Sequence, residues 1–463
     1  MNFTNVTFLF YALPLICALY YGLRARGARN LLLLIGSLLF YAWGEGIYLG
    51  LLIGSIAANH LLVGLIAKDR SRVMWLSIGV AANLIFLIAF KYLGLVTASL
   101  MGLGVPHMAL HLPLGISFFT FQAMSLLVDV KRGAAAPRSP LKTGLYISMF
   151  PQLIAGPIVR FNEISPQIDA RTESWTQFRA GIFLFVLGLS QKLLLADAFA
   201  PHADAAFSAA LPELSTGAAW LGLLCFSLQI FYDFAGYSNM AIGLGRMFGF
   251  EFPQNFNYPY SARSFRGFWR RWHMTLSRWF RDYLYIPLGG SRGANLATYR
   301  NLLIVFVLCG LWHGAAWTFL IWGLWHGAFL TLERVLAPRL PGVSFPPVAG
   351  WLYVWVFVAL GWVFFRAESL PHALDYFQAL FGLSDQSLAH KTTLPRSITL
   401  SLLIGVLLIW EGWERRVWPK VTAKYTQGIG PALLQCAALL ALTGLCFAAL
   451  SAQTYQAFLY FRF

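Results

Sequence analysis

Residues 73–100 read VMWLSIGVAANLIFLIAFKYLGLVTASL, an apolar run longer than the roughly 20 residues that a helix needs to cross a bilayer. Runs of similar character, several of them shorter, recur along the chain at residues 6–23, 31–43, 47–67, 112–130, 181–196, 214–237, 348–365, 398–410 and 432–460. This pattern predicts an all-α polytopic membrane protein with roughly ten to twelve spanning helices.

The composition supports this prediction and excludes the main alternatives. Of the 463 residues, 58% are hydrophobic and 11% are charged, whereas soluble domains carry about a quarter charged residues. A soluble, disordered, coiled-coil or disulfide-rich protein is therefore excluded. No internal repeat and no low-complexity linker divides the chain, so we predict one membrane-embedded domain over residues 1–463.

The net charge of +16 is explained by the membrane rather than by nucleic acid. Basic residues collect in cytoplasmic loops, where they set the topology and meet anionic membrane lipids. The predicted loop after Ala196 instead holds three acidic residues, Asp197, Asp204 and Glu213, and no Lys or Arg. Both termini are predicted to lie outside when the basic stretches face the cytoplasm, namely residues 24–29, 68–72, 131–142, 263–300 and 415–424.

Two further apolar stretches, residues 144–159 and 302–332, are interrupted by polar and helix-breaking residues. Residues 154–157, IAGP, should break a helix in the first stretch. In the second, we expect glycines to loosen the backbone, at Gly310, Gly314, Gly323 and Gly327. Irregular backbone at membrane depth survives only where protein or a water-filled cavity surrounds it. Broken or re-entrant helices are therefore predicted here.

Histidines in and beside the second stretch are the strongest candidates for chemistry. His313 and His326 each follow a tryptophan and precede a glycine, and His273 lies in the basic stretch before them. Polar residues at membrane depth often mark functional sites, and neutral imidazole can accept a proton near pH 7. The alternative is a packing role with hydrogen bonds across helices. No serine-hydrolase elbow or metal-ligand spacing occurs, so no bound metal is expected.

Residues 264–283, SFRGFWRRWHMTLSRWFRDY, interleave aromatic and basic side chains. They predict an amphipathic helix at the membrane interface, with tryptophans at the headgroups. On a continuous helix, one stripe of arginines would face lipid, and the other stripe would face an anionic ligand that carries phosphate groups. The two sets are Arg266, Arg270 and Arg281 on one side and Arg271 and Arg278 on the other. The alternative is a membrane anchor without a ligand.

One carboxylate, that of Asp233, lies inside the apolar run at residues 214–237. A charged group at this depth needs a charged partner or a water-filled cavity. We therefore predict either a residue that shapes the site or a structural ion pair with one of the arginines.

Several ordered segments resemble the membrane-bound O-acyltransferase family, most closely its bacterial branch of alginate O-acetyltransferase membrane subunits. They are residues 113–122 (PLGISFFTFQ), 155–160 (AGPIVR), 232–238 (YDFAGYS), 270–290 (ending in IPLGG) and 311–314 (LWHG). The resemblance is dense over residues 5–335 and weaker over the C-terminal spans at about residues 348–460. It implies a helical bundle with a central funnel or tunnel. His313 matches the family's invariant histidine, His273 its second conserved polar position, and His326 a histidine common in the bacterial branch.

The resemblance implies an O-acetyltransferase of a bacterial inner membrane, with both termini in the periplasm, acetyl-CoA as cytoplasmic co-substrate and no bound cofactor. The acceptor would be a hydroxyl of an exopolysaccharide such as alginate, reached directly or through a periplasmic hydrolase-like acetyltransferase partner. His313 is expected to be the general base and His273 to hold the developing oxyanion. His326, Asp233 and Trp312 would shape the site. The alternatives are D-alanyl transfer to teichoic acid from a carrier protein, and a transporter of polar substrates.

Overall fold

The computed structural model describes residues 3–68, 71–101, 106, 108, 110–337, 346–383, 396–410, 429–452 and 458–459. Within these residues all regular structure is helical, which confirms the predicted fold class. The α-helices are α1 (Leu13–Gly22), α2 (Arg26–Glu45), α3 (Leu49–Lys68), α4 (Arg72–Ser99), α5 (Ile116–Lys131), α6 (Pro140–Ser148), α7 (Phe150–Leu153), α8 (Phe161–Asp169), α9 (Trp175–Ser190), α10 (Asp197–Ser208), α11 (Thr216–Met247), α12 (Phe265–Trp269), α13 (Met274–Phe280), α14 (Asn295–His313), α15 (Trp317–Leu336), α16 (Pro347–Arg366), α17 (Leu370–Leu380), α18 (Arg396–Leu408) and α19 (Ile429–Ala452).

Six helical segments of the described chain are long and apolar enough to cross a membrane. They are Arg26–Lys68, Arg72–Ser99, Trp175–Ser208, Thr216–Met247, Asn295–His313 and Pro347–Arg366, and shorter apolar helices lie at Phe8–Gly22, Ile398–Leu408 and Cys436–Ala452. The chain is therefore a multi-pass membrane protein. The span count, the single-domain organisation and the funnel stay predictions, and the basic stretch at residues 415–424 lies outside the described residues.

The structure corrects the prediction of a span that ends at Ala196 before an acidic loop. One helical segment runs from Trp175 to Ser208, because a π-helical turn at Gln191–Ala196 joins α9 to α10. Asp197 therefore lies in a helix and is buried. Its Oδ1 atom is 2.7 Å from Nζ of Lys192, and this ion pair explains how a carboxylate is tolerated there.

The chain divides into two compact units, of which the first comprises Met1–Phe185 and Tyr237–Gln254. Its helix α5 is buried along nearly its whole length. The predicted break in residues 144–159 is confirmed, because α7 ends at Leu153 and the backbone is irregular up to Arg160. A Cβ atom at Gly115 would lie 2.6 Å from the Leu153 carbonyl oxygen, so Gly115 allows the start of α5 to pack against this break.

The second unit comprises Val186–Gly236 and Asn255–Phe463, and the antiparallel pair α14 and α15 lies in it. The predicted break in residues 302–332 is confirmed at residues 314–316, between the two helices. The role predicted for the glycines is wrong for Gly310, Gly323 and Gly327, which lie inside helices. A Cβ atom added at Gly310 would lie 2.3 Å from the carbonyl oxygen of Phe319. A Cβ atom added at Gly323 would lie 2.2 Å from the carbonyl oxygen of Phe306. Gly310 and Gly323 therefore allow the backbones of α14 and α15 to approach closely, and they do not loosen either helix.

Gly323→Ala should therefore push α14 and α15 apart, because its methyl group would overlap backbone that cannot rotate away. We expect a loss of about 1–3 kcal/mol of stability, measured as a lower midpoint of thermal unfolding in detergent. Gly64→Ala in α3 is the matched control, because no atom lies within 4 Å of its Cβ position. Equal stability of the two variants would contradict this packing role.

The basic segment at residues 264–283 is not one continuous helix, so the predicted stripes are wrong. Ser264 caps α12 by accepting the Gly267 N–H at 3.0 Å, and the helix ends at Trp269. His273 then has φ 41° and ψ 54°, a left-handed conformation that a continuous α-helix does not contain. The arginines nevertheless fall into the same two sets by burial: Arg266, Arg270 and Arg281 are exposed, and Arg271 and Arg278 are half-buried.

Candidate active site

His313 is the last residue of α14, and only 5% of its surface is exposed. The helix ends there because Gly314 is extended, with φ −163° and ψ 157°. The ring of Phe319 fills the space that a side chain at position 314 would need, because it lies 2.0 Å from where a Cβ atom would be. Glycine at this position therefore lets the chain turn directly after the histidine.

The three candidate histidines lie in one aromatic cluster of the second unit, linked through two indole rings. The Trp312 ring lies 6.1 Å from His273 and 4.9 Å from His313, between ring centroids. The Trp322 ring lies 4.9 Å from His313 and 5.0 Å from His326. Among the described residues, no group of three His, Cys, Asp or Glu side chains is placed to hold a metal ion. The cluster is thus a set of imidazoles and indoles around His313.

Asn255 sets the tautomer of His273. Oδ1 of Asn255 accepts the backbone N–H of Thr275 at 3.2 Å and its hydroxyl at 2.9 Å, and lies 3.1 Å from Nδ1 of His273. A backbone N–H can only donate, so this Asn255 atom is the carbonyl oxygen. Nδ1 of His273 must then carry the proton, which leaves Nε2 of the neutral ring as an acceptor.

This tautomer does not suit the oxyanion-holding role expected of His273. Burial lowers the pKa of the His273 imidazole to about 3, so the ring is neutral at pH 7. A neutral Nε2 without a proton has nothing to donate to an oxyanion. The left-handed backbone at His273 costs of order 1–3 kcal/mol, a kind of strain that clusters at functional sites.

His326 is completely buried and is surrounded by aromatic rings. Its ring centroid lies within 6.3 Å of those of Trp322, Trp269, Phe265, Trp362 and Phe268. On another side it faces Gly361, where a Cβ atom would lie 3.2 Å from Nε2. Neither ring nitrogen has a hydrogen-bond partner among the described residues, which is unusual for a buried imidazole.

A groove of about 290 Å³ lies beside this cluster, between α13, α14 and α15. Its lining is mostly apolar and includes Trp269, Leu276, Phe280, Leu302, Val305, Phe306, Cys309 and Leu330. Its polar lining comes from Ser277, Arg281, Tyr285, Ser291 and Arg334. Cys309 lies one turn before His313 on α14, and Trp269 contacts His326, so the apolar part of the groove borders the histidine cluster.

Arg334 is a candidate that the sequence analysis missed. The sequence did contain a signal for Arg334, because residues four apart lie on the same face of a helix. Arg334 belongs to such a series with His326, namely Trp322, His326, Leu330 and Arg334. Eight residues of α15 place Arg334 about 12 Å along the helix from His326. Of the five predicted arginines only Arg281 lines the groove, and its Nε donates to Asp282 Oδ1 at 2.6 Å.

Asp233 is fully paired within the second unit, with a lysine rather than the expected arginine. Its Oδ1 atom lies 2.8 Å from Nζ of Lys192, which also pairs with Asp197. The Oδ2 atom of Asp233 accepts the backbone N–H of Leu459 at 2.8 Å. The ammonium group of Lys192 lies 4.8 Å from the ring centroid of Phe458. These contacts favour a structural role for Asp233, as part of a buried ionic cluster.

The family model of membrane-bound O-acyltransferases matches residues 109–370, which contain the three histidines and the whole lining of the groove. The chain belongs to this family. The resemblance predicted from the ordered motifs is thereby confirmed, and the protein is an O-acyltransferase.

This acyltransferase is 40% identical to the probable alginate O-acetylase AlgI of Azotobacter vinelandii, over all of both chains. It is 39% identical to the peptidoglycan O-acetyltransferase of Helicobacter pylori, over 84% of this chain and 81% of that protein. It is 30% identical to the teichoic acid D-alanyltransferase of Bacillus subtilis, over 44% of this chain and 54% of that protein. The names of these relatives describe acyl transfers to different polymers.

Proposed function

We propose that this O-acyltransferase transfers acetyl groups from cytoplasmic acetyl-CoA to a hydroxyl of an exopolysaccharide such as alginate, directly or through a periplasmic acetyltransferase partner. The observation that carries the proposal is a groove that borders the histidine cluster and has two arginines, Arg281 and Arg334, in its lining. Full-length likeness to a relative named for alginate acetylation favours this acceptor. D-alanyl transfer is less favoured, because the relative named for it matches only 44% of the chain.

In this proposal His313 is the general base. Its ring is buried against the indoles of Trp312 and Trp322, and in its neutral form it can accept the proton of the attacking hydroxyl. The hydroxyl oxygen forms a bond to the thioester carbon, and the carbon–sulfur bond then breaks. The proton passes from His313 to the departing thiolate. The products are an O-acetyl ester and the free thiol of coenzyme A.

The groove provides a path for the donor to His313. Arg281 and Arg334 are its cationic residues, and guanidinium groups bind phosphate oxygens through paired hydrogen bonds. The apolar wall that follows, with Phe306 and Cys309, suits the less polar arm of the donor that carries the thioester. The phosphates would stay near the arginines while the acetyl group reaches the end of α14.

Arg281→Lys and Arg334→Lys should raise the KM for acetyl-CoA, because lysine keeps the charge but loses the bidentate geometry. We expect a rise of about five- to tenfold for each, with a smaller change in kcat, as for an interaction made before and during reaction. Arg266→Lys and Arg270→Lys are matched controls, since both arginines are exposed and neither lines the groove. Four equal effects on KM would mean that the groove does not bind the donor.

The proposed location is a bacterial inner membrane, with the basic segment at residues 263–300 in the cytoplasm and both termini in the periplasm. Ser291 and Ser208 are exposed residues on the proposed opposite sides. In a cysteine-free background, Ser208→Cys should react with an impermeant thiol reagent added outside intact spheroplasts, and Ser291→Cys only after lysis. The reverse pattern would overturn this topology.

The cellular test of the proposal is the ester content of the exopolysaccharide made by a strain that lacks this chain. Loss of O-acetyl groups, restored by the wild-type gene, is the expected result. Ester-linked D-alanine that disappears in the same strain would instead favour the D-alanyl alternative. A normal content of both ester groups would contradict the proposed acceptor.

A further inference from the structure

Two buried indole N–H groups of the second unit differ from those of four other tryptophans in the same unit. Trp269 and Trp322 are 8% and 1% exposed, and their Nε1 atoms have no hydrogen-bond partner among the described residues. Other indoles of this unit do donate: Trp325 to the Phe357 carbonyl at 2.9 Å, and likewise Trp220, Trp351 and Trp362 at 2.8–3.0 Å. An unpaired buried donor costs about 1–3 kcal/mol, so two of them in one place call for a ligand.

Both indoles contact His326. Its ring centroid lies 5.1 Å from that of Trp269 and 5.0 Å from that of Trp322, and the two indoles are 5.9 Å apart. The two ring nitrogens of His326 are likewise unpartnered within the described chain. Four polar atoms without partners therefore lie on three adjoining rings.

The chemistry of these atoms defines the ligand. An indole only donates, and a neutral imidazole donates once and accepts once, so the three rings offer three donors and one acceptor. Such a set fits an oxygen with free lone pairs, above all one that gains negative charge. The ring centroid of Trp322 also lies 4.9 Å from that of His313, and Trp269 lines the groove. An oxygen bound by these rings would therefore lie between the groove and His313.

We propose that Trp269, Trp322 and His326 form a carbonyl-binding pocket that holds the acyl oxygen of the thioester during transfer. The pocket rests on the proposed function, because it needs a thioester donor in the groove. When the acceptor hydroxyl attacks, its proton goes to His313 and the carbonyl electron pair moves onto this oxygen. The pair returns when the carbon–sulfur bond breaks, and the proton then joins the thiolate.

Trp322→Phe and Trp269→Phe remove one donor each and keep an aromatic ring. We expect kcat to fall about 10²-fold or more for each, the size seen when one oxyanion donor is lost. The dissociation constant of free coenzyme A, which has no acyl carbonyl, should change less than about twofold. Trp325→Phe is the matched control on the same helix: it loses a satisfied hydrogen bond, so it should lose stability but keep kcat.

A second measurement does not depend on how the tryptophan variants fold. In the His313→Ala enzyme, bound acetyl-CoA labelled with carbon-13 at the carbonyl should show an infrared carbonyl band below that of the free thioester in water. A band at or above the water position would overturn the pocket, as would equal kcat losses in the Trp322 and Trp325 variants. Failure of the wild-type enzyme to use acetyl-CoA would instead overturn the proposed function itself.

Discussion

Replacement of His313 by alanine should lower kcat for acetyl transfer by about 10² to 10⁴-fold, the contribution of a positioned general base. The imidazole is buried at the end of α14, and the indole of Trp322 lies between it and His326. Water cannot easily take its place as base in this aromatic cluster. The KM for acetyl-CoA should change little, because the base acts in the transition state rather than in donor binding. The measurement is steady-state kinetics on purified enzyme in detergent or nanodiscs.

His60→Ala is the matched control for this variant. His60 lies in the apolar helix α3 of the first unit, and its Nδ1 is 2.8 Å from the hydroxyl oxygen of Thr143. This contact fits the packing role that a histidine at membrane depth can have. We expect near-normal kcat and a modest loss of stability. Equal loss of activity in the two variants would mean that His313 is also only a packing residue.

Lys192→Met should be the most destabilising of the predicted substitutions. It removes the only described cation within 4 Å of two carboxylates, those of Asp197 and Asp233, whose side chains are 5% and 3% exposed. Breaking a buried ionic cluster on one side leaves uncompensated charge and costs about 3–5 kcal/mol. Thermal unfolding in detergent measures the effect, as a lower midpoint or a shorter half-life at fixed temperature.

Two further variants make this stability prediction sharp. Lys142→Met also breaks an ion pair, but its partner Asp169 is 63% exposed, so the loss should stay below about 1 kcal/mol. The triple variant Lys192→Met, Asp197→Asn, Asp233→Asn removes the buried charges together and should recover much of the stability. A single variant as stable as wild type, or a triple variant no better than the single one, would contradict the role of Lys192 as the counter-charge.

Much of the fold could be predicted because hydropathy and helix breakers act locally. Apolar runs predicted the all-α membrane fold, and residues 154–157 and Gly314 predicted where backbone leaves the helix. The prediction failed where one residue changes the course of a helix. Nothing in the local sequence indicates that His273 adopts a left-handed conformation inside a basic amphipathic segment, or that a π-helical turn carries Lys192 toward Asp233.

The candidate site was only partly predictable, for a similar reason. His313 and His326 stand out because a polar group in an apolar run is costly wherever the chain folds. Asn255 orients His273 across 18 residues of sequence, and no local pattern signals such a contact. Arg334 was hidden because the end of a spanning helix is an ordinary place for a basic residue. Its place in the groove depends on how α14 packs against α15.

The central claim is a His313-dependent transfer of an acetyl group from a thioester to a hydroxyl. The most direct test uses purified enzyme in nanodiscs, acetyl-CoA with a radiolabelled acetyl group, and alginate oligosaccharide or a purified periplasmic partner as acceptor. We predict an alkali-labile acetyl ester on the acceptor, formed in equal amount with free coenzyme A by the wild type and not by His313→Ala. Release of coenzyme A without ester, or equal ester formation by His313→Ala, would contradict this account.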